Sequence, residues 1–215
     1  MAQWHIVRIP FWIQWLTRHW LVWKIPADKK VLFLTFDDGP NAEVTPKVLH
    51  LLKSYNAKAT FFMVGENVLK FADTYQQVIE DGHSVGHHCF NHLPFFKTNP
   101  KSYFRNVLKG NSALQSPLFR PPHGQIGWKA MKLLSKKYKI MMWTVMSYDF
   151  DKSLSADRCA KNVISKAKAG DIIVFHDSLK AQDRMVIALE KTLIHFSKLG
   201  YEFHAIEVPS SRHDL

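Results

Sequence analysis

Seven short runs of apolar, β-branched and aromatic residues, separated by stretches of helical periodicity, constrain this 215-residue chain more than any other feature. The runs cover residues 31–36, 59–64, 84–86, 118–120, 140–144, 171–175 and 202–206, and their near-continuous hydrophobicity reads as strands buried on both faces. Between them Val44, Val48, Leu49, Leu52 and Tyr55 recur at helix spacing, as do Val163, Ile164 and Ala167. The same spacing returns in Met185, Ala188, Leu189, Thr192, Leu193 and Phe196. Ser155 stands where an N-cap is expected, and Gly82 and Gly200 where C-terminal caps are expected. Strand-helix alternation implies a parallel sheet with right-handed crossovers, and seven strands in about 180 residues imply an α/β fold, a distorted (β/α) barrel. In such barrels chemistry gathers at the carboxyl ends of the strands.

The end of the first run, Thr35-Phe36-Asp37-Asp38-Gly39-Pro40, holds two adjacent carboxylates. Neighbouring carboxylates repel, and in partly dry surroundings they stay ionised only where a cation or strong donors compensate them. The pair therefore points to a metal or proton-handling site, against the plainer reading of an Asp-Asp-Gly turn. A second cluster follows the third run, Gly82-His83-Ser84-Val85-Gly86-His87-His88-Cys89-Phe90-Asn91-His92. Here His88 and His92 stand four apart and would share one face of a helical turn. With 12 histidines in the chain such a pair alone is weak evidence. One Asp with two His, however, makes a three-ligand set that leaves coordination positions open for water and substrate.

Three further pieces lie at or just after predicted strands: Arg120-Pro121-Pro122-His123-Gly124, Trp143-Thr144-Val145-Met146-Ser147-Tyr148-Asp149-Phe150, and Ile172-Ile173-Val174-Phe175-His176-Asp177. All five pieces therefore converge on one rim of the expected barrel. In this order they resemble the polysaccharide deacetylase family, the NodB-like carbohydrate esterases that remove N-acetyl groups from amino-sugar polymers, over about residues 30–206. The resemblance implies a distorted (β/α)7 barrel of the NodB type. It also implies a divalent metal on Asp38, His88 and His92, with zinc as the default for such a set and cobalt, nickel or manganese as alternatives.

Amide hydrolysis needs an activated water and a protonated leaving group. A bound ion would lower the pKa of water towards about 7 and polarise the carbonyl. Asp37 would take the proton as general base, and His176, on the other side, would protonate the departing nitrogen as general acid. The two must hold opposite protonation states at one pH. By the same resemblance Arg120 is similar to the arginine that tethers the base, and Asp149 to the carboxylate that orients the acid histidine. Residue His123 is similar to the position whose main-chain N–H helps stabilise the oxyanion. The chain departs from the common family pattern at Cys89, at His123 where Tyr is usual, at Phe150 where Trp is usual, and at Met146. These departures bear on substrate identity more than on the reaction.

The expected substrate is an N-acetylated amino sugar of peptidoglycan, chitin-like oligosaccharide or a related glycan. The nearest rival chemistry is removal of a formyl or other acyl group from a lipid-linked or small amino sugar, and the rival class is a non-catalytic metal-containing carbohydrate-binding module. The pair Asp37 and His176 argues against the last, because a binder has no need of both an acid and a base.

With 47% hydrophobic residues the chain suits one compact catalytic domain, residues 30–208, followed by a polar tail at 209–215. Two cysteines, Cys89 and Cys159, make no disulfide framework. The net charge of +11 favours anionic partners such as phospholipid surfaces or acidic glycans, with a dense basic cluster at Lys129, Lys132, Lys136, Lys137 and Lys139. No motif beyond charge supports a nucleic-acid partner.

Residues 1–29 form an aromatic and basic segment: five of the seven Trp fall at positions 4, 12, 15, 20 and 23, and no acid precedes Asp28. Pro10 would open a helix of about 14 residues with Phe11, Trp12, Trp15, Leu16, Trp20 and Trp23 as its apolar stripe, against the ~20 needed to span a bilayer. Gln14, Arg18 and His19 interrupt any signal-peptide core. The segment is thus expected to dock on the barrel or to lie in a membrane interface through residues 4–24. Either reading places the protein in the cytoplasm or at the membrane periphery.

Overall fold

The structure, a computed structural model, describes residues 5–207, so that Trp4 and the tail expected at 209–215 lie outside the described residues. Among the described residues there are nine strands: β1 (Leu21–Val22), β2 (Val31–Asp37), β3 (Ala59–Met63), β4 (Ser84–His87), β5 (Leu118–Phe119), β6 (Lys139–Met141), β7 (Val145–Met146), β8 (Ile172–His176) and β9 (Glu202–Phe203). Eight helices accompany them: α1 (Phe11–Thr17), α2 (Thr45–Ser54), α3 (Gly65–Lys70), α4 (Ala72–Glu80), α5 (Pro100–Leu114), α6 (Trp128–Leu134), α7 (Ala156–Ile164) and α8 (Gln182–Lys198). The strands form one curled sheet in the order β1-β6-β5-β4-β3-β2-β8-β7, with β9 added beside β2. Every pairing between named strands is parallel, which is the distorted barrel that the alternation of runs implies.

The two-residue period of a strand decides which side chains face the chemistry. In β2, Leu32, Leu34 and Phe36 join the core between sheet and helices, whereas Val31 and Phe33 join the core inside the barrel. In β8, Ile173 and Phe175 face the helices, and Ile172 and Val174 face inward. Continuing each series in steps of two places Asp37, after Thr35, and His176 on the inner face. The β2–β8 register makes them direct neighbours. Behind them Phe36 stacks between Phe61 and Phe175, with ring centroids 5.0 and 5.9 Å away, so the floor beneath the site is closely packed aromatic core.

Helix boundaries follow local chemistry. Ser155 caps α7 by accepting the Arg158 N–H, and Gly82 and Gly200 take left-handed φ values just after α4 and α8.

One expected strand is cut short. Of residues 140–144 only Ile140 and Met141 are in a strand, β6, which pairs with β5 and β1, and the next strand, β7, pairs with β8 at the opposite end of the sheet order. The partners change around Trp143: Met142 N–H donates to the Val22 carbonyl, and Thr144 N–H to the Ile172 carbonyl. A single stretch of chain thus crosses the seam where the curled sheet meets itself.

The N-terminal segment fills that seam. Ile9 N–H donates to the Thr144 carbonyl, Met146 N–H to the Val7 carbonyl, and Ile25 N–H to the Gly170 carbonyl. The Arg8 guanidinium grips the buried Asp171 carboxylate with two bonds, at 2.5 and 3.1 Å. The helix expected from Pro10 through Trp23 is correspondingly shorter and ends at Thr17. There the Thr17 hydroxyl bonds the Ile13 carbonyl and accepts from the Trp23 indole, and the chain turns to let Leu21 and Val22 pair with β6. Leu21 and Trp23 are buried, but α1 itself buries none of its residues. Among the described residues no helix is long and apolar enough to cross a membrane.

Candidate active site

At the carboxyl end of β2 the chain leaves the sheet through Asp38, whose φ of 81° is left-handed. This turn carries the Asp38 carboxylate away from Asp37 and towards the loop after β4. That loop, residues 88–92, is not the helical turn expected from the spacing of its histidines: Cys89 and His92 have φ of 62° and 54°. The bend brings the two imidazoles to one side, with ring centroids 4.9 Å apart. One ligand atom from each of Asp38, His88 and His92 lies within 4.8 Å of the others, and His92 Nε2 is 3.2 Å from Asp38 Oδ1.

The loop is held from three sides. His88 N–H donates to the Met63 carbonyl, and the carbonyls of Cys89 and Phe90 accept from Gly65 and Glu66 at the start of α3. The Asn106 side chain on α5 accepts from Phe90 and Asn91 N–H and donates to the Asn91 side chain. Gly110, one helical turn on, lets α5 approach so closely that a Cβ there would lie 2.6 Å from the Cys89 carbonyl carbon. His88 Nδ1 donates to the Arg120 carbonyl at 2.7 Å, which fixes the tautomer and leaves Nε2 facing the cluster.

Donor chemistry and charge suit a divalent transition metal: one carboxylate and two imidazoles, with open positions on the cleft side. Burial, reinforced by His92, holds the His88 imidazole neutral, the form that ligates. Burial raises the Asp38 carboxyl, but the bond from His92 and the neighbouring imidazoles outweigh it and keep Asp38 well below its ordinary value. Cys89 takes no part. Its thiol is buried against α5 and pushed up to about 12 by burial, so it stays protonated.

Asp37 and His176 stand beside this cluster, each backed by its own buried partner. Arg120 is fully buried and donates to Asp37 Oδ1 at 2.7 Å, to the Thr35 hydroxyl, and to the carbonyls of Met141 and Met142. Its guanidinium also lies 4.0 Å from the Phe62 ring centre. Burial raises the Asp37 carboxyl, and Arg120 is the main influence pulling it back. Asp149 accepts from His176 Nδ1 at 2.7 Å and, through its other oxygen, from the His176 main-chain N–H at 2.8 Å. Burial alone would lower the His176 pKa, but the Asp149 carboxylate reverses this and raises it to about 9. His176 is thus pushed towards the imidazolium that an acid requires, whereas Asp37 stays raised on balance, with Arg120 as the one dedicated charge that opposes its burial.

His123 sits at the cleft edge with a left-handed φ of 58°, its ring edge-on to His92 at 4.6 Å. Trp143, Met146, Tyr148, Phe150 and Lys180 complete the cleft, with Phe150 edge-on to His176. The sequence marks His123 for its main chain and as a departure from Tyr, but not for the ring contact, which depends on the bend at His92.

Nor does it single out Asp177. This fully buried carboxylate accepts the Gly39 N–H at 3.0 Å and the Thr45 hydroxyl at 2.6 Å, and its own N–H donates to the Asp37 carbonyl. It braces the turn that aims Asp38, and burial raises its pKa to about 8. Its only sequence signal is its place next to His176 at a strand end.

The described family of polysaccharide deacetylases matches residues 24–142 by its sequence profile. A peptidoglycan-N-acetylglucosamine deacetylase of Bacillus cereus is 33% identical over 191 residues, which cover 86% of this chain and 90% of that protein. The peptidoglycan-N-acetylglucosamine deacetylase PgdA of Listeria monocytogenes is 34% identical over 86% of this chain and 40% of its own length. The crystal structure of the Bc1960 peptidoglycan N-acetylglucosamine deacetylase, in complex with 4-naphthalen-1-yl-N-oxidanyl-benzamide, superposes with a TM-score of 0.83 at 31% identity, covering 90% of this chain and 94% of that one. With its profile, its relatives and its curled parallel sheet in agreement, this chain belongs to the polysaccharide deacetylase family.

Proposed function

We propose that this protein is a metal-dependent hydrolase that removes N-acetyl groups from N-acetylated amino sugars of peptidoglycan or a chitin-like glycan and releases acetate. The observation that carries this reading is the flanking of a three-ligand cluster by two proton carriers on adjacent strands, each bonded to its own buried opposite charge. Asp38, His88 and His92 would hold the ion, and zinc is the ion we infer, with cobalt, nickel or manganese as substitutes. Bound there, it would supply Lewis acidity that polarises the amide carbonyl and makes water easier to deprotonate.

The remaining roles belong to the chain. Asp37, its charge compensated by the Arg120 guanidinium, accepts the proton of the attacking water. The main-chain N–H of His123 donates to the carbonyl oxygen as negative charge grows on it. His176 carries its proton on Nε2 while Nδ1 is pinned by Asp149, and it gives that proton to the sugar nitrogen as the C–N bond breaks. Without this transfer the leaving group would be an amine anion. The reacting groups all fall within residues 30–208, with 1–29 and 209–215 as flanking segments.

Elemental analysis of the purified protein, paired with acetate release from chitooligosaccharide and peptidoglycan fragments, tests the proposal. Bound divalent metal with acetate release is expected. Formate release from N-formyl substrates in place of acetate would redirect the acyl specificity, and metal binding with no hydrolysis would point to a binding module.

A further inference from the structure

The outer face of α1 has no partner among the described residues. Phe11, Trp12, Trp15 and Leu16 are between 52 and 76% exposed on a helix of seven residues. Scattered exposed apolar residues are ordinary, but here they are clustered and the cluster continues. Trp20 meets the exposed Trp128 of α6 edge-on at 4.8 Å, which joins the aromatic face of the N-terminal segment to the start of α6.

The segments that build this side carry cations and no carboxylate, with Asp28 and Glu207 bordering them beside β1 and β6. No Asp or Glu occurs before Asp28 or between Asp81 and Asp149, and these two stretches supply β1, β6, β5 and β4, which are neighbours in the sheet. The cations sit among the aromatic rings. Arg18 lies 5.2 Å from the Trp15 ring, and Lys132 lies 5.4 and 5.1 Å from those of Trp20 and Trp128. Exposed aromatics with interleaved Lys and Arg, on a helix too short to span a bilayer, match the chemistry of a headgroup layer: rings at the boundary, cations on phosphates. A protein partner would need acidic groups spread across the whole face, whereas an anionic bilayer supplies that charge everywhere.

We propose that this aromatic, cationic face, centred on α1, docks the protein on a bilayer surface that contains anionic phospholipid. Trp128 opens α6 directly after the segment that carries Arg120 and His123, so the docked face borders the carboxyl-end rim of the barrel. The inference is independent of the catalytic reading.

The test uses the full chain with large unilamellar vesicles, either phosphatidylglycerol mixed with phosphatidylcholine or phosphatidylcholine alone. Co-sedimentation with the anionic vesicles is expected, with blue-shifted tryptophan emission and quenching by brominated lipid. Binding to pure phosphatidylcholine, or to anionic vesicles at about 1 M salt, should be at least about tenfold weaker. The triple variant Phe11→Ser, Trp12→Ser, Trp15→Ser, with folding checked by circular dichroism, should bind at least about tenfold more weakly. Unchanged binding by that folded variant would overturn the proposal. So would a vesicle-independent dimer that the triple variant dissolves, since the face would then belong to a second copy. If the variant does not fold, absence of brominated-lipid quenching in the wild-type protein overturns the proposal on its own.

Discussion

Replacing Asp149 by Asn should move the basic limb of the pH–rate profile, and the structure sets the size of the effect. His176 lies near 9 rather than its ordinary value of 6.5, because the Asp149 carboxylate more than offsets burial. That difference corresponds to about 3 kcal/mol of preference for the imidazolium form. An Asn amide keeps the shape and loses the charge, so His176 should fall to about 6.5 or below. At pH 8 the protonated fraction of a group near 9 is about 0.9, and of a group at 6.5 about 0.03, a loss of about 30-fold; at pH 6 the loss is under about twofold. A bound cation moves the limb downward in both enzymes, so the difference between them is the quantity to measure. The assay is kcat/KM for acetate release from a chitooligosaccharide between pH 5.5 and about 9.5, wild type against variant. A loss that is constant across this range would refute the charge argument and leave Asp149 as a spacer only.

Asp37→Asn should abolish turnover while metal content stays near wild type, whereas His92→Ala should lose metal and turnover together; plasma emission analysis beside the activity assay separates the two. Arg120→Gln leaves the buried Asp37 without its cation, a loss of about 3–5 kcal/mol that should appear partly as lower stability and partly as a higher pKa for Asp37. Because the base works ionised, the acid limb of Arg120→Gln should shift to higher pH, and Arg120→Lys should restore part of it; identical profiles for Lys and Gln would deny the charge its role. Gly110→Ala would ordinarily favour a helix, but here its Cβ would strike the Cys89 carbonyl, so the Tm should fall by about 2–10 °C, and a rise would show that the loop yields freely.

Much of this site is readable from the chain because each piece sits at a strand end, and strand ends are marked by Gly, Pro and the loss of hydrophobic continuity. Parity along residues 31–37 and 172–176 even gives the facing of Asp37 and His176. Their adjacency does not follow from either run alone, since it depends on the β2–β8 register. The end of β6 at Met141 is hidden for a similar reason: the run stays largely apolar beyond it, and only the curl of the sheet decides that the partners change. His88 and His92 have helical spacing, yet left-handed Cys89 and His92 give the loop a different path to the same side. Asp177 escaped notice because its work is done through a main-chain N–H and a threonine hydroxyl brought from another element. Residues 11–23 have a helical stripe in sequence, but the open seam draws Leu21 and Val22 into a sheet, where tertiary pairing outweighs local periodicity.

Residues 7–9 and 21–25 behave as a stave driven into the gap between two edges of the barrel. Cutting the chain at residue 30, where the recognisable motifs begin, would strip bonding partners from the backbone of Met142, Thr144, Met146 and Gly170 and bare two sheet margins at once. The same cut would loosen the stretch whose carbonyls at Met141 and Met142 anchor Arg120. A segment without a single reacting group therefore sets how firmly the proton acceptor is held.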